Sequence, residues 1–473
     1  MDTDSPIPLT SALRVHPVTD WNGGTVSLPG SKSITNRALI MASLATGRSV
    51  LRNVLDCEDS RYLVEALGNL GVLLSWDTEL REIELQGAGG PYPCRDGTFY
   101  CGNAGTTVRF LTAALAACGG NYRVDGSERM RERPIDGLVR GLVELGAQVR
   151  APGGYPPIEI GSQPLVGGRV GISGHVSSQV ISAILMASPL AQQSVEVRVT
   201  GELVSTPYIE LTLAGMRDFG ATVTADYKRA DGQPLYRVVA GRGYEGRDYT
   251  VEGDASSASY FYAAAAVTGS TLRVEGVGKE SVQGDSRCAD VLAAMGCRVT
   301  KERDAVIVTG PPGGLPLKGV DWDCSDIPDV VPTLAVVGLF ARGKTRLRGV
   351  AHLRHKESDR IRSVATELQK LGGSVRELAD GLEVEGSLGP RSAPLHGATI
   401  DTWGDHRIAM AFAVAGLQLP DVVIREPHVV AKSFPTFFDM LSAFGVTVES
   451  TDGASGEPTE SKHGEPTGNK NGS

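Results

Sequence analysis

A repeat of about 75 residues constrains the fold of this 473-residue chain more than any other feature of its sequence. In six places an amphipathic, helix-like segment ends at a glycine and a strand-like segment follows, as in ALGNLGVLL and LVELGAQVR. Glycine favours the left-handed conformation that commonly ends a helix, so each match has a physical basis. Six matches at nearly constant spacing predict six copies of one helix-and-strand module. The glycines are Gly71, Gly146, Gly220, Gly296, Gly372 and Gly445, separated by 75, 74, 76, 76 and 73 residues.

A second series of helix-like segments alternates with the first. These segments are apolar and rich in alanine over most of their circumference, which predicts that they are buried. Each module therefore contains one buried and one surface helix, together with strands. Each buried helix follows a polar start, and the six starts lie near Ser31, Asn103, Ser177, Asp254, Asp329 and Asp405.

The number of modules bears on the domain organisation. Six modules could form one ring or two groups of three, and a single core rarely grows beyond about 250 residues. We therefore predict a mixed α/β fold of two domains with three modules each, separated near Val251 to Gly253. Residues 449–473 are polar and rich in Gly, Pro and Glu, so we predict a disordered tail there.

Composition excludes several classes of partner. The formal net charge of -9 argues against a nucleic acid or an anionic membrane, although a local basic cleft could still bind small anions. Seven cysteines without a C-x-x-C pair are typical of reduced thiols in the cytosol. The first residues, MDTDSPIPLT, resemble neither a secretory signal nor a transit peptide. We therefore expect a cytoplasmic protein without a membrane span.

The helix starts are candidate anion sites, because a helix N-terminus exposes unpaired N–H groups and the positive end of its dipole. Several such ends directed at one cleft would bind anions strongly. Asp254 is ordinary as a helix cap. Lys32 and Arg407 are unusual at a helix start, because a cation at this end opposes the helix dipole. Each of them therefore predicts an anion nearby.

Three other motifs fail on their context. GRGYEG fits the dinucleotide-binding pattern, but a strand-like segment follows it where a helix is required. PGSKS lacks the spacing of a P-loop. His352, His355 and His406 lack the arrangement of a zinc motif, so we predict no metal site.

Ten segments in the same order along the chain resemble the motifs of the EPSP synthase family. They are PGSKSITNR, GNAGTTVRF, DGSERMRERP, SSQ, ELVSTPYIE, EGDASSASY, IPD, KESDR, GDHRIAMAF and AKSFPTFF. The resemblance implies two domains of three helix-and-strand units, with the active site in the cleft between them. It assigns residues 30–252 to domain 1 and residues 253–448 to domain 2, with residues 1–29 part of domain 2 and the first dozen loose.

The resemblance also implies an activity: transfer of the enolpyruvyl group of phosphoenolpyruvate to the 5-hydroxyl of shikimate 3-phosphate in chorismate biosynthesis, without a cofactor. It makes Asp329 the base and Glu357 the acid, while Lys32 moves protons or stabilises charge. Such an acid needs a pKa raised by burial or by nearby anions. By the same resemblance, phosphoenolpyruvate binds to Lys32, Asn103, Gly105, Arg129, Gln179, Arg360, Arg407 and Lys432. Shikimate 3-phosphate binds to Lys32, Ser33, Arg37, Ser177, Ser178, Gln179, Ser205, Tyr208, Asp329, His352 and Lys356.

The chain departs from the family in places. His352 replaces an asparagine of many relatives, and Thr107 and Phe110 differ from the commonest bacterial pattern. Gly105 is the residue found in relatives that are inhibited by glyphosate, so we expect glyphosate to compete with phosphoenolpyruvate.

Two alternative interpretations stay open. A transferase acting on UDP-N-acetylglucosamine shares the fold, but it typically has Lys-Asn where this chain has Lys32 and Ser33. The second alternative is a non-catalytic protein that binds anions. Retention of Asp329 and Glu357 argues against this alternative. We expect a monomer in which the cations of the two halves repel one another across the cleft unless anions draw the halves together.

Overall fold

Helices of two kinds alternate along the chain, as the sequence predicts. The computed structural model describes residues 12–19, 21, 23–175, 177–312, 316–387 and 394–451. The odd-numbered helices are buried along almost their whole length, whereas the even-numbered ones bury one face. In the described residues the α-helices are α1 (Lys32–Leu44), α2 (Glu58–Asn69), α3 (Gly105–Cys118), α4 (Asp136–Glu144), α5 (Ser178–Ala187), α6 (Thr206–Asp218), α7 (Ala255–Thr268), α8 (Cys288–Ala294), α9 (Val331–Leu339), α10 (Arg360–Lys370), α11 (His406–Gly416) and α12 (Phe437–Ala443).

The six repeated glycines end the even-numbered helices. All six have positive φ angles, from 83° at Gly445 to 108° at Gly296. A side chain with a Cβ is strained in this region, which is the reason that glycine recurs at this point of each module. The prediction of six modules is confirmed by the positions of these helix ends.

Six sheets share one topology and have four strands each, except that a divided first strand gives the first sheet five. The first two strands are parallel, the third is antiparallel to the second, and the fourth is antiparallel to the third. In the first half the strands are, in spatial order, Tyr244–Glu245 with Asp248–Thr250, Ala45–Arg52, Glu82–Ala88 and Leu73–Asp77; then Asp96–Tyr100, Asn121–Asp125, Ile158–Ile160 and Val149–Arg150; then Gly168–Ser173, Val195–Thr200, Leu235–Val238 and Val223–Asp226.

The second half repeats this arrangement with strands borrowed from the start of the chain. Its sheets contain Gly23–Ser27, Thr271–Glu275, Ala305–Thr309 and Arg298–Lys301; then Asp321–Asp323, Lys344–Arg348, Gly381–Glu385 and Ser374–Leu378; then Thr399–Ile400, Val422–Ile424, Leu13–Val15 and Val448–Ser450. A further short pair joins Leu317–Lys318 to Ala341–Arg342. The segments Leu13–Val15 and Gly23–Ser27 therefore lie in sheets of the second half.

The chain passes between the halves at two adjacent points. Gly30 and Gly253 form an antiparallel bridge. The Ser31 amide donates to the Glu252 carbonyl at 2.8 Å, and the Asp254 amide donates to the Pro29 carbonyl at 3.0 Å. The two crossings thus form a short ribbon at the base of the cleft.

Two separate hydrophobic clusters fill the two halves. One contains residues between Ile34 and Val251, and the other contains residues from Leu13 to Leu28 and from Ala255 to Val446. The predicted boundaries at residues 30 and 253 lie between these clusters and stay a prediction. No helix in the described part of the chain is long and apolar enough to cross a membrane.

The predicted disordered tail begins too early. Glu449 and Ser450 belong to the strand Val448–Ser450, which pairs antiparallel with Leu13–Val15. The pairing satisfies the backbone hydrogen bonds of these residues. Their polar composition alone does not reveal that a partner strand exists. Residues 452–473, and residues 1–11 of the predicted loose start, lie outside the described residues.

Candidate active site

The starts of the helices converge on one cleft between the halves. Side chains from the starts of α1, α3, α5, α6, α9, α10 and α11, and from the segment before α4, surround it, so residues far apart in the sequence meet there. The cleft is lined by Lys32, Ser33, Arg37, Thr106, Arg133, Ser178, Gln179, Ser205, Tyr208, Asp329, Lys356, Glu357, Arg360 and Arg407.

Three predicted site residues of the first half are not among the residues that line this cleft. Ser177 caps α5, where its hydroxyl accepts from the Gln179 amide at 3.2 Å. Asn103 accepts from Arg133 through its side-chain oxygen and from Lys432 through its carbonyl. Gly105 is the first residue of α3. Ser177 and Asn103 each contact a lining residue, Gln179 and Arg133 respectively.

Three more predicted residues connect the halves. The Arg129 guanidinium donates to the carbonyls of Lys356 at 3.0 Å and Glu357 at 3.1 Å. His352 is buried, with Nε2 3.5 Å from the Ser205 hydroxyl. Burial, with Lys356 adding to it, lowers the pKa of His352 to about 3, so the ring is neutral. Lys432, described below, reaches into the first half.

Asp329 is the central carboxylate. Its Oδ2 accepts from Arg407 Nη2 at 2.7 Å and its Oδ1 accepts from Arg360 Nη1 at 3.0 Å. The Lys356 ammonium lies 4.0 Å from Oδ1. Burial favours the neutral acid, but Arg407, Lys356 and Arg360 outweigh it and hold the pKa of Asp329 far below its ordinary value. Asp329 is therefore an anion.

Glu357 does not have the raised pKa that the sequence interpretation requires of an acid. Its Oε2 accepts from Arg360 Nη2 at 2.8 Å, and Arg133 Nη1 lies 4.0 Å from Oε1. Burial raises the pKa of this carboxyl, but Arg360, Arg133 and Lys432 outweigh burial, so the pKa lies well below its usual range. The expectation is wrong for this arrangement because the combined effect of these cations exceeds that of burial.

Arg360 organises the carboxylates of the second half. Its side chain is 2% exposed and contacts Asp329, Glu357 and Asp405. Asp405 accepts from Arg360 Nε at 2.7 Å and also caps α11 through the Arg407 amide at 3.0 Å. Asp405 was recognised only as a helix start, yet it fixes both arginines relative to the cleft.

Asp59 is the most consequential residue that the sequence interpretation missed. It is 2% exposed and lies between the ammonium groups of Lys32, at 3.3 Å, and Lys432, at 2.9 Å. Burial opposes ionisation of Asp59, but the two lysines outweigh it and lower its pKa. Burial likewise lowers the pKa of Lys32, and Asp59 and Glu357 more than offset it. An acidic residue in the first turn of an amphipathic helix such as α2 is so ordinary that nothing in the sequence distinguishes it.

The cations at helix starts have the anionic neighbours that the dipole argument predicts. Lys32 meets Asp59, and Arg407 meets Asp329. Asp254 caps α7 through the Ser257 amide at 2.8 Å and also accepts from the Lys32 amide at 3.1 Å, which joins the starts of α1 and α7. The anions are carboxylates of the chain, so these cations of the two halves do not face one another unpaired.

The segment SERMRERP shows why position within a motif matters. Arg129 joins the halves, whereas Arg131 donates to Asp125 at 2.7 Å within the first half and is half-exposed. Arg133 is 4% exposed and lines the cleft, although the sequence interpretation did not select it. A short 3₁₀ turn at Met130–Glu132 sends the three guanidinium groups in different directions.

Known structures of the same architecture define the class of protein. The chain superimposes on an EPSP synthase from Acinetobacter baumannii with a TM-score of 0.76 and 29% identity, covering 93% of this chain and 100% of that one. It also matches the enolpyruvyl transferase NikO from Streptomyces tendae with a TM-score of 0.73 and 20% identity, covering 94% and 99% of the two chains. The fold is that of the enolpyruvyl transferases.

Sequence comparison narrows this class to one family. The family model of EPSP synthase (3-phosphoshikimate 1-carboxyvinyltransferase) matches residues 19–441. A 3-phosphoshikimate 1-carboxyvinyltransferase from Trichormus variabilis is 44% identical over 416 residues, which is 88% of this chain and 94% of that protein. The chain therefore belongs to the EPSP synthase family, and the resemblance seen in its motifs is confirmed.

Proposed function

We propose that this chain transfers the enolpyruvyl group of phosphoenolpyruvate to the 5-hydroxyl of shikimate 3-phosphate, releasing phosphate. The observation that carries this proposal is the pair Asp329 and Glu357, which face one cleft and share the buried cation Arg360. Membership of the EPSP synthase family supports the choice of substrates.

The charges of the cleft suit two polyanionic substrates. Each substrate brings a phosphate and a carboxylate, and the planar guanidinium fork matches both groups. The cations that line the cleft are Lys32, Arg37, Arg133, Lys356, Arg360 and Arg407. Hydroxyl and amide groups of the first half, from Ser33, Ser178, Gln179 and Ser205, supply neutral donors for the shikimate ring and its phosphate.

Asp329 takes the proton of the 5-hydroxyl in this proposal. It is ionised, so it can accept a proton, but Arg407, Lys356 and Arg360 make it a weak base. Substrate anions that bind Arg407 and Lys356 withdraw these cations from Asp329 and raise its pKa. Binding of shikimate 3-phosphate therefore strengthens the base as it delivers the hydroxyl.

Glu357 delivers the proton to C3 of phosphoenolpyruvate by the same logic. The new bond from O5 to C2 and the new C3–H bond give a ketal phosphate. This intermediate then loses phosphate from C2 and a proton from the methyl group, which restores the double bond between C2 and C3 and gives the enol ether product. In the absence of anions Arg360 and Arg133 keep Glu357 ionised, and substrate anions at these arginines raise its pKa so that it can carry the proton.

Glyphosate is the proposed competitive inhibitor. Gly105 begins α3, and a Cβ at this position would lie 2.5 Å from Arg133 Nη2 and 2.8 Å from Arg109 Nη1. Glycine therefore leaves these two arginines where they are, and Arg133 lines the cleft. Because a side chain at residue 105 would displace Arg133 from this position, glycine here supports sensitivity to glyphosate.

We further propose a cytoplasmic monomer. All seven cysteines are free and six of them are buried, as in a protein that keeps its thiols reduced. Size-exclusion chromatography with light scattering measures the mass in solution, and 49.7 kDa is the expected value.

A phosphate-release assay tests the reaction. Phosphoenolpyruvate is supplied with shikimate 3-phosphate in one arm and with UDP-N-acetylglucosamine in the other. We expect release only with shikimate 3-phosphate. Release only with the sugar nucleotide would favour the alternative transferase, and tight binding without any release would favour the non-catalytic anion-binding protein.

A further inference from the structure

One hydroxyl in the cleft faces two carboxyl groups. The Tyr208 hydroxyl, on α6 of the first half, lies 3.1 Å from Asp285 Oδ2 and 3.1 Å from Asp329 Oδ2, both in the second half. A tyrosine hydroxyl has one proton and can donate to only one of them. The second contact is a hydrogen bond only if that carboxyl group donates to the tyrosine oxygen.

The surroundings of the two carboxyl groups decide which one holds a proton. Asp329 accepts from Arg360 and Arg407, so it is ionised. Among the described residues Asp285 receives no cationic donor: Ser256 and Tyr208 contact its Oδ2, and its Oδ1 is buried without a hydrogen-bond partner there. A buried carboxylate oxygen without a hydrogen bond costs much free energy when the group is ionised. The cost is smaller when the carboxyl group is neutral.

We infer that Asp285 is protonated when the halves are closed and that, through Tyr208, it positions Asp329 in the active site. The inference rests on the proposed function, in which Asp329 is the base. The proton of Asp285 points to the Tyr208 oxygen, the Tyr208 proton points to Asp329, and the chain of hydrogen bonds crosses between the halves. Asp285 itself does not touch the substrate; it is a positioning residue.

The environment of Asp285 agrees with a neutral group. Burial raises the pKa of this carboxyl to about 7, Asp329 adds to the effect, and Arg407 opposes it. A cavity of about 10 Å³ adjoins it, which is room for one water at most. The titratable and charged groups around it are Tyr208, Asp254, Cys288, Cys324, Asp329 and Arg407.

Closure is therefore linked to uptake of a proton. Tyr208 and Pro207 of the first half cover Asp285, so opening exposes it and returns its pKa towards the ordinary value of about 3.9. A raised pKa in the closed form means that closure takes up a proton between the two values and is weakened as pH rises through this window. Above about pH 8.5 the dependence ends, because both forms are then ionised.

Calorimetry of shikimate 3-phosphate binding tests this linkage. Measured in two buffers of different ionisation enthalpy, binding reports the number of protons taken up. The substrate phosphate contributes equally to the wild type and to Asp285→Asn, so the difference between them isolates Asp285. We expect a difference of about half a proton at pH 7 that disappears above about pH 8.5. Equal uptake by the two proteins at pH 7 would overturn the inference.

Substitutions of Asp285 by alanine and by asparagine together test the positioning role. Asp285→Ala leaves Tyr208 without its partner, and we expect kcat to fall about tenfold, as for one lost hydrogen bond. Asp285→Asn keeps the shape and a neutral polar group and restores kcat. The control Asp290→Asn removes a half-exposed carboxylate on α8 that pairs with Lys301 and keeps the wild-type proton uptake. If Asn were no better than Ala, Asp285 would have no positioning role.

Infrared spectroscopy separates this inference from the proposed function, because it needs no turnover. The difference between the full-length wild type and Asp285→Asn, recorded with and without shikimate 3-phosphate, isolates the carbonyl stretch of a protonated Asp285. We expect this band to fade as pH rises through about 7. Its absence from both states would refute the inference, whereas failure of the phosphate-release assay would refute only the proposed function.

Discussion

Single residues decide the chemistry of this cleft. A substitution of Glu357 can distinguish proton transfer from substrate binding. Glu357→Gln keeps the shape and the contact with Arg360 but removes the titrating proton. We expect turnover to fall about 10²-fold or more, the scale of a lost general acid, while affinity for shikimate 3-phosphate changes little. Arg407→Ala should instead weaken capture of phosphoenolpyruvate. Steady-state kinetics with fluorescence titration measures both, and normal turnover of Glu357→Gln would reject the acid assignment.

Asp59 is the residue on which two buried lysines depend. Asp59→Ala leaves Lys32 and Lys432 close together without an anion, and breaking such a buried pair costs about 3–5 kcal/mol in the free energy of unfolding. Urea unfolding measures this loss. The control Asp136→Ala removes an exposed partner of Arg140 and should cost less than about 0.5 kcal/mol.

The pH dependence of this pair has a definite sign. Because the pKa of Asp59 is lowered in the folded protein, its stabilisation is complete above the unfolded pKa of about 3.9 and is lost as pH falls through the folded value. The difference between wild type and Asp59→Ala should therefore be constant near neutrality and shrink below about pH 4. A difference that persists unchanged in acid would contradict the ion-pair explanation.

Gly105 tests the wall of the phosphoenolpyruvate site. In Gly105→Ala the new Cβ meets Arg109 and Arg133. Arg109 is held by the carbonyls of Gly105 and Pro134, and Arg133 is held by Asn103, so the new methyl group has to displace a bound arginine. We expect KM for phosphoenolpyruvate to rise about tenfold or more, equivalent to about 1.4 kcal/mol, and glyphosate inhibition to weaken. Gly137→Ala, where no neighbour lies within reach, is the control. Unchanged inhibition would remove Gly105 as the deciding residue.

At the scale of elements, the repeated glycines allow a direct test of the helix ends. Gly296 has a φ of 108° and an added Cβ would meet no atom within 4 Å, so Gly296→Ala changes only the backbone preference. We expect a loss of about 1–2 kcal/mol, the cost of a left-handed residue with a side chain. Gly68→Ala, on the exposed side of α2, makes the same chemical change at a helical position and should gain up to about 1 kcal/mol. Thermal unfolding that shows the same sign for both would contradict this account.

The halves of the whole molecule are joined by polar contacts across the cleft. Arg129→Gln removes the contacts to the carbonyls of Lys356 and Glu357, which contribute about 1.5–3 kcal/mol each as bonds to a charged group. We expect a larger radius of gyration by small-angle scattering, and a larger compaction when shikimate 3-phosphate is added. Arg131→Gln, in the same turn, breaks only a contact within the first half and is the matched control. Equal radii for the two variants would show that Arg129 does not hold the halves together.

The sequence by itself determined the modules. A left-handed glycine after each surface helix and an apolar helix in each module are local requirements, so their spacing reveals six units before any contact is known. The resemblance of short motifs such as PGSKS and GDHR to those of one family also implied most of the residues that line the cleft. These features depend on neighbours within a few positions of the chain.

Only the tertiary structure decided how these groups are charged and paired. Asp59 lies 373 positions from Lys432, and Asp285 lies 77 positions from Tyr208, so no local pattern indicates either contact. The pKa of Glu357 is lowered and that of Asp285 is raised, although both carboxyls are buried. The difference is that only Glu357 contacts an arginine. A pKa depends on the distance to every nearby charge, and these distances are fixed when the two halves meet.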